Sequence, residues 1–106
     1  MRAGDMDRRI TIQRYVVIGD DGFGNEITEW IDLATVWAEV KQESGREFFA
    51  YGGINSDRKV VFRLRWIDGG VTVLDRVSYG DRDHNIHEVR ELGRQVGLEL
   101  HTTASG

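Results

Sequence analysis

Two histidines and two aspartates that lie close together in the sequence are the residues whose types most suggest metal chemistry. Imidazole and carboxylate groups are common ligands of zinc and other divalent ions, and His84 and His87 lie beside Asp81 and Asp83. If the segment from Asn85 is a strand, however, residues three apart point to opposite faces of it. We therefore interpret this segment as a polar turn that leads into a strand, and we expect no metal ion and no other cofactor.

The segment 20–26 combines carboxylates with glycines, which calcium loops and phosphate-binding loops also use. It lacks the ligand spacing and distal glutamate of a calcium hand, and it lacks the lysine of a P-loop. Glycine, asparagine and aspartate are typical of turns, so the segment is interpreted as a hairpin connection. No serine has the glycine pattern of a hydrolase nucleophile around it. The sequence thus predicts that the chain is not an enzyme.

Four aromatic residues could form a base-stacking platform for a single nucleic-acid strand: Trp30, Trp37, Phe62 and Trp66. Such a platform needs a basic groove beside the rings. Arg63 and Arg65 alternate with the aromatic residues of their segment, and alternation places them on the opposite face of a strand. We favour the interpretation that the aromatic residues are core residues behind a charged outer face, and we keep an oligonucleotide-binding β-barrel module as the alternative function.

The segment 43–58 interrupts the periodic pattern with several glycines and is predicted to be one long loop. Irregular segments of this length inside a compact domain are uncommon unless they bind, gate or are disordered. Aromatic residues beside the glycines favour contact with a partner, although a mobile surface insertion stays possible. The candidate contact residues are Ser44, Gly45, Arg46, Glu47, Phe48, Phe49 and Tyr51.

The composition predicts one soluble globular domain over residues 1–106, with flexible ends at 1–6 and 103–106. The chain has 40% hydrophobic and 30% charged residues, and a chain of this length has room for one core. The net charge of −4 argues against a general nucleic-acid binder. Of the 14 basic residues only Lys41 and Lys59 are lysine. Arginine is preferred over lysine in protein interfaces, so this bias fits protein partners, and ordinary drift in codon composition explains it equally well.

No apolar run approaches the roughly 18 residues that a membrane span requires, so no membrane partner is expected. Residues 1–5 carry charges and no apolar segment follows, so we expect no secretory signal and synthesis in the cytoplasm. The sequence has no cysteine, which excludes disulfides, thiolate metal sites and a cysteine nucleophile.

The elements that must position these residues are predicted to be short strands. Period-two alternation and turn residues between the apolar runs indicate strands at about 8–17, 27–31, 35–42, 60–67, 71–79, 85–92 and 97–102. A helix over 88–98 is disfavoured because Gly93 and Gly97 would each cost about 1 kcal/mol relative to alanine. The predicted fold is mainly β: a small antiparallel β-barrel or sandwich of six to seven strands with one long loop.

The order of these signals resembles the phage head–tail joining family, also called head–tail adaptor, head-completion or stopper proteins. The segments that carry the resemblance are Gly4 and Met6 before 9–13, the Asp21-Gly22 turn, Trp30, and the segments 36–40, 44–47, 62–66, 75–77, 85–86 and 98–100. They span nearly the whole chain. Their order and spacing carry the resemblance together, since no single motif is diagnostic.

The resemblance implies a structural connector subunit in the neck of a tailed phage, a prophage or a gene transfer agent. It implies a β-barrel that joins a ring of its own copies, closes the DNA-filled head and docks the tail. The implied partners are further copies of the chain, a portal-side adaptor and the tail terminator, while genome DNA passes without sequence-specific binding. Assembly would take place in the bacterial cytoplasm. The loop 43–58 would then project toward the central channel.

Overall fold

The computed structural model describes residues 3–44, 47–48, 54–55 and 58–104 and is built almost entirely from β-strands. A short 3-10 helix, Ala3–Asp5, precedes the first strand. The strands of the described residues are, in chain order, β1 (Arg8–Asp20), β2 (Glu26–Ser44), β3 (Glu47–Phe48), β4 (Ile54–Asn55), β5 (Arg58–Arg65), β6 (Arg76–Tyr79), β7 (Arg82–Leu92) and β8 (Gly97–Ala104).

Six of these strands form one closed antiparallel barrel in the order β1-β2-β5-β8-β7-β6. Pairing between β1 and β6 closes the ring, where Thr11 lies opposite Ser78 and Gln13 lies opposite Arg76. The two short strands β3 and β4 pair with each other. The predicted mainly β fold of six to seven antiparallel strands is confirmed.

Alternation along the strands places one set of side chains inside the barrel. In β5, Phe62 and Leu64 are fully buried while Arg63 is half-buried and Arg65 is exposed, as the period-two pattern predicts. The buried hydrophobic cluster consists of Ile10, Ile12, Ala38, Val60, Phe62, Leu64, Val71, Val77, Ile86, Leu98 and Leu100.

Two predicted strand boundaries are wrong. The strands predicted at 27–31 and 35–42 are one strand, β2, because Leu33 is accommodated as a β-bulge instead of ending the strand: Ile12 pairs with Ala34 and Gln13 with Asp32. The strand predicted at 71–79 is a strand only from Arg76.

The residues before β6 form turns. The backbone amide of Gly70 donates to the carbonyl of Ile67 over 3.1 Å, and that of Asp75 donates to the carbonyl of Thr72 over 3.1 Å. Both bonds join residues three apart, which is the pattern of β-turns. The apolar residues Val73 and Leu74, which suggested a strand, are exposed.

Buried residues lie near both ends of the described chain: Met6 is buried, and Ala104 is a buried residue of β8. The flexibility expected at 1–6 and 103–106 stays a prediction. Residues 1–2 and 105–106 lie outside the described residues. Within the described part of the chain, no helix is long and apolar enough to cross a membrane.

Candidate interaction surfaces

The segment predicted as a long loop is strand wherever the structure describes it. Ser44 ends β2 opposite Lys59, and Glu47 and Phe48 of β3 then lie opposite Asn55 and Ile54. The strands β3 and β4 lie between β2 and β5 in the chain and pair with each other. We call this pair the distal hairpin. Four predicted contact residues lie outside the described residues: Gly45, Arg46, Phe49 and Tyr51.

A second extension of the sheet, which the sequence did not predict, is formed by β1 and β2. Beyond the pair of Gln13 and Arg76, β1 pairs with β2 alone, as far as Asp20 opposite Glu26. We call residues 14–31 the arm. At about 3.3 Å per residue the arm extends about 25 Å from the barrel. The radius of gyration, 15.8 Å, exceeds the roughly 13 Å of a compact domain of this size, as a projection requires.

The tip of the arm is a turn held by two carboxylates, and the first, Asp20, accepts a hydrogen bond from the Gly22 amide over 2.9 Å. Asp21 accepts hydrogen bonds from the amides of Phe23 (2.8 Å) and Asn25 (3.2 Å) and from the Asn25 side chain (2.9 Å). The bond from the Asn25 side chain, followed by that from the Phe23 amide, lowers the pKa of Asp21. Gly22 and Gly24 have φ of 81° and 88°, which glycine adopts without strain. The predicted hairpin connection is confirmed.

An ion pair fixes the base of the arm to the turn that precedes β6. The guanidinium of Arg14 donates to both carboxylate oxygens of Asp75, from Nε over 2.9 Å and from Nη2 over 3.0 Å. The Thr72 amide donates to the same carboxylate over 2.9 Å. The Asp75 side chain is 1% exposed and that of Arg14 is 34% exposed. Burial raises the pKa of Asp75, but the bonds from Arg14 and Thr72 outweigh it, so this pKa lies below its ordinary value.

The other face of the arm base is held by a stack. The guanidinium of Arg76 lies 4.1 Å from the ring centroid of Trp30, and its Nε donates to Gln13 over 2.8 Å. The Tyr15 ring lies 5.1 Å from the Trp30 ring. Cation–π contacts of this kind contribute about 0.5–1 kcal/mol each at exposed sites. The base of the arm is thus fastened to β6 and to the preceding turn on both faces.

The arm also exposes six large apolar side chains. These residues are Tyr15, Val17, Ile18, Phe23, Ile27 and Ile31, and Phe23 at the tip is 89% exposed. The arm also carries four carboxylates, Asp20, Asp21, Glu26 and Glu29, and its single basic residue is Arg14. The alternation of a half-buried strand stops at the apolar run 15–18, but this run alone does not distinguish an exposed arm from a buried strand.

A groove of about 690 Å³ lies between the N-terminal segment, the middle of β2 and the residues that follow β5. Its apolar wall includes Met6, Val36, Trp37, Trp66 and Ile67. Trp37 is 52% exposed, and the Arg9 guanidinium lies 5.0 Å from its ring centroid. The prediction that the aromatic set belongs to the core is confirmed for Phe62 and wrong for Trp37, because Trp37 points away from the buried Ala38 beside it.

The two histidines considered as metal ligands lie on opposite faces of β7, as predicted. His84 is 1% exposed, and its ring lies edge-on to Phe62 at 5.4 Å. His87 is exposed, and its ring centroid lies 6.5 Å from that of His101. Among the residues that the structure describes, no group of three or more histidine, cysteine, aspartate or glutamate side chains is arranged to hold a metal ion.

The described residues thus form a closed barrel with one fastened arm. A family model for phage head completion proteins matches residues 1–105, and the chain belongs to this family. The prediction of a structural, non-enzymatic phage protein is confirmed.

Among solved structures, the chain is similar to one in "Virion of native gene transfer agent (GTA) particle". The TM-score is 0.68 at 21% sequence identity, and the match covers 94% of each chain. At this identity the likeness concerns the fold. No curated protein matches the chain.

Proposed function

We propose that this chain is a head–tail connector subunit, a stopper or adaptor, that forms a ring in the neck of a tailed phage, a prophage or a gene transfer agent. The observation that carries this proposal is the match to the head completion family across residues 1–105. The likeness in fold to a chain of a gene transfer agent virion supports it. In this function the ring closes the DNA-filled head and docks the tail.

The architecture suits a subunit that contacts several neighbours. Closing the sheet into a barrel removes most of its exposed edges, which limits unspecific pairing before assembly. The arm extends the β1–β2 ladder of this barrel, and the distal hairpin comes between β2 and β5 in the chain. The partners we propose are further copies of the chain, a portal-side adaptor and the tail terminator.

We further propose that the distal hairpin and the segment around it face the channel or a partner. Of the predicted contact residues, Ser44 ends β2 opposite Lys59, and Glu47 and Phe48 form β3 of the distal hairpin. The net charge of −4 disfavours adhesion to the genome, so DNA would pass without sequence-specific binding.

The test is assembly of particles without this chain and with a variant that lacks residues 45–55. Without the chain we expect filled heads that lose DNA and carry no tails. The deletion variant should fold, because shortening a connection between neighbouring strands changes the loop entropy only slightly, yet its particles should leak DNA or lack tails. Electron microscopy measures tail attachment, and nuclease protection measures how much DNA the particles retain. Fully infectious particles without the chain would contradict the proposal; fully infectious particles with the deletion would contradict the role of the hairpin.

One observation favours the alternative, an oligonucleotide-binding barrel. Trp37 is exposed beneath the guanidinium of Arg9 and borders an apolar groove with Trp66, and exposed aromatic rings beside arginine are what single-strand binding uses. The net charge of −4 opposes it. Binding of single-stranded DNA separates the two functions.

A further inference from the structure

We propose that the arm of one copy docks in the Trp37–Trp66 groove of the neighbouring copy, so that each subunit offers a projection to one neighbour and a groove to the other. This inference rests on the proposed ring and names the surfaces that would join it. The argument comes from the reach, the exposed side chains and the charge of the arm.

The arm exposes apolar side chains and unpaired strand edges, which are surfaces that a protein partner usually covers. Six large apolar residues are exposed on residues 14–31. Within the described residues, no strand pairs with the outer edges of the arm. The pairing of β6 with β1 ends at Gln13, and the pairing of β5 with β2 begins at Ala38. Uncovered apolar edges of this kind promote association. The ion pair of Arg14 with Asp75 and the stack of Arg76 on Trp30 hold the arm base in place, so little order has to be gained on docking.

The arm cannot fill the groove of its own chain. Glu26 at the tip and Trp37 in the groove belong to the same extended strand, and 11 residues of strand separate them by about 35 Å. The arm projects about 25 Å, which is comparable to the smallest dimension of the molecule, 23 Å. An arm of this length lies across an adjacent copy.

Charge distinguishes arm-to-groove docking from arm-to-arm docking. Residues 15–31 contain four carboxylates and no basic residue, so two arms laid together would bring eight carboxylates into one contact. Like charges placed together in an interface are unfavourable. The groove offers Arg65 in its wall and Arg9 over Trp37. Asp7 also lines the groove, and it lies 3.7 Å from Arg8 in an ion pair.

The tip supplies a side chain that suits the groove. Phe23 is 89% exposed, and the groove of about 690 Å³ has two indoles in its wall. Aromatic rings packed against each other contribute beyond the area they bury. A contact between two different surfaces of the same chain is heterologous, and heterologous contacts generate closed rings when the rotation closes.

Cysteine cross-linking tests this contact directly, since the chain has no cysteine of its own. Phe23→Cys places a thiol at the arm tip and Ile67→Cys places one in the groove wall. Asp81→Cys, in the exposed turn between β6 and β7, is the matched control. The full-length variants are mixed in pairs at high concentration, and are also incorporated together into particles, before treatment with a short bismaleimide.

We expect a covalent dimer from Phe23→Cys with Ile67→Cys, at least tenfold more abundant than from Phe23→Cys with Asp81→Cys. Peptide mass spectrometry should place the link between the two engineered positions. Predominant Phe23→Cys homodimers, or links from the tip to a different virion protein, would overturn the inference. If the chain forms a neck ring without the tip-to-groove link, the inference is wrong and the proposed function stands. If the link forms in purified protein but particles lack the chain, the proposed function is wrong and the contact stands.

Discussion

Two phenylalanines show how differently the barrel and the arm use the same kind of residue. Phe62 is fully buried at the centre of the barrel, whereas Phe23 is 89% exposed at the tip of the arm. A buried phenylalanine stabilises the fold through burial and packing, while an exposed one contributes almost nothing until another molecule covers it. The barrel therefore carries the stability of the chain, and the arm exposes apolar surface that adds little to it.

The division runs through a single strand. β2 contributes the fully buried Ala38 to the barrel, while Ile27 and Ile31 of the same strand are exposed on the arm. The bulge at Leu33 lies between the two parts, and bulges bend a strand and increase its local twist. A strand shared in this way means that damage to the barrel also disturbs the arm, whereas changes at the arm tip leave the barrel intact.

The largest effect should come from the two phenylalanines. Phe62→Ala should lower the free energy of unfolding by about 3–5 kcal/mol because it leaves a cavity in the closed barrel. The matched variant Phe23→Ala should change it by less than about 0.5 kcal/mol. Denaturant titration followed by circular dichroism measures both. Equal losses would show that the arm packs as part of the core.

The next effect concerns the ion pair that fastens the arm. Asp75→Asn removes the charge that receives both bonds from Arg14, and we expect a loss of about 2 kcal/mol, typical of a hydrogen-bonded charge. The control is Asp7→Asn, whose exposed pair with Arg8 spans 3.7 Å and should contribute less than about 0.5 kcal/mol. A similarly small loss of unfolding free energy in both variants would contradict the claim that the pair of Arg14 and Asp75 fastens the arm.

The same ion pair predicts a dependence on pH. In the folded chain the pKa of Asp75 is below its ordinary value of 3.8. A depressed carboxylate pKa adds stability that is present above the unfolded pKa and is lost as the pH falls through the folded one. The difference in unfolding free energy between the natural chain and Asp75→Asn should be the same at pH 7 and pH 5.5 and smaller at pH 3. A difference that grows on acidification would show that the pair is wrongly assigned.

The smallest effect is expected for nucleic acid. A fluorescence-anisotropy titration of single-stranded DNA at low salt should show no saturable binding at micromolar concentrations, because the chain is acidic. Trp37→Ala and Trp66→Ala should leave the titration unchanged. Micromolar binding that weakens with salt and is lost in either variant would favour the oligonucleotide-binding function instead.

The sequence predicts the barrel better than the projections. Alternation around Phe62 predicts which side chains of β5 are buried, because neighbouring strands cover one face. The same reasoning fails at Asp75, whose burial depends on Arg14, 61 residues away. It also fails for the arm, where the apolar run 15–18 is compatible with a buried strand. Only the pairing of β1 and β2 beyond the end of β6 shows that this run is exposed.

The segment 43–58 shows a different limit. Its glycines and lost periodicity indicate a loop, yet Ser44 pairs with Lys59 and β3 pairs with β4. Backbone pairing in a hairpin depends on main-chain hydrogen bonds, which need no alternating apolar pattern. The candidate contact residues of this segment stay a proposal, with Gly45, Arg46, Phe49 and Tyr51 outside the described residues.

The most direct test of the connector function is a reconstruction, by electron cryomicroscopy, of the neck of particles assembled with this chain. The proposed function predicts density for the six-stranded barrel in a ring between the head and the tail, with the barrel strands unchanged. The chain located elsewhere in the particle, or a neck complete without it, would contradict the account.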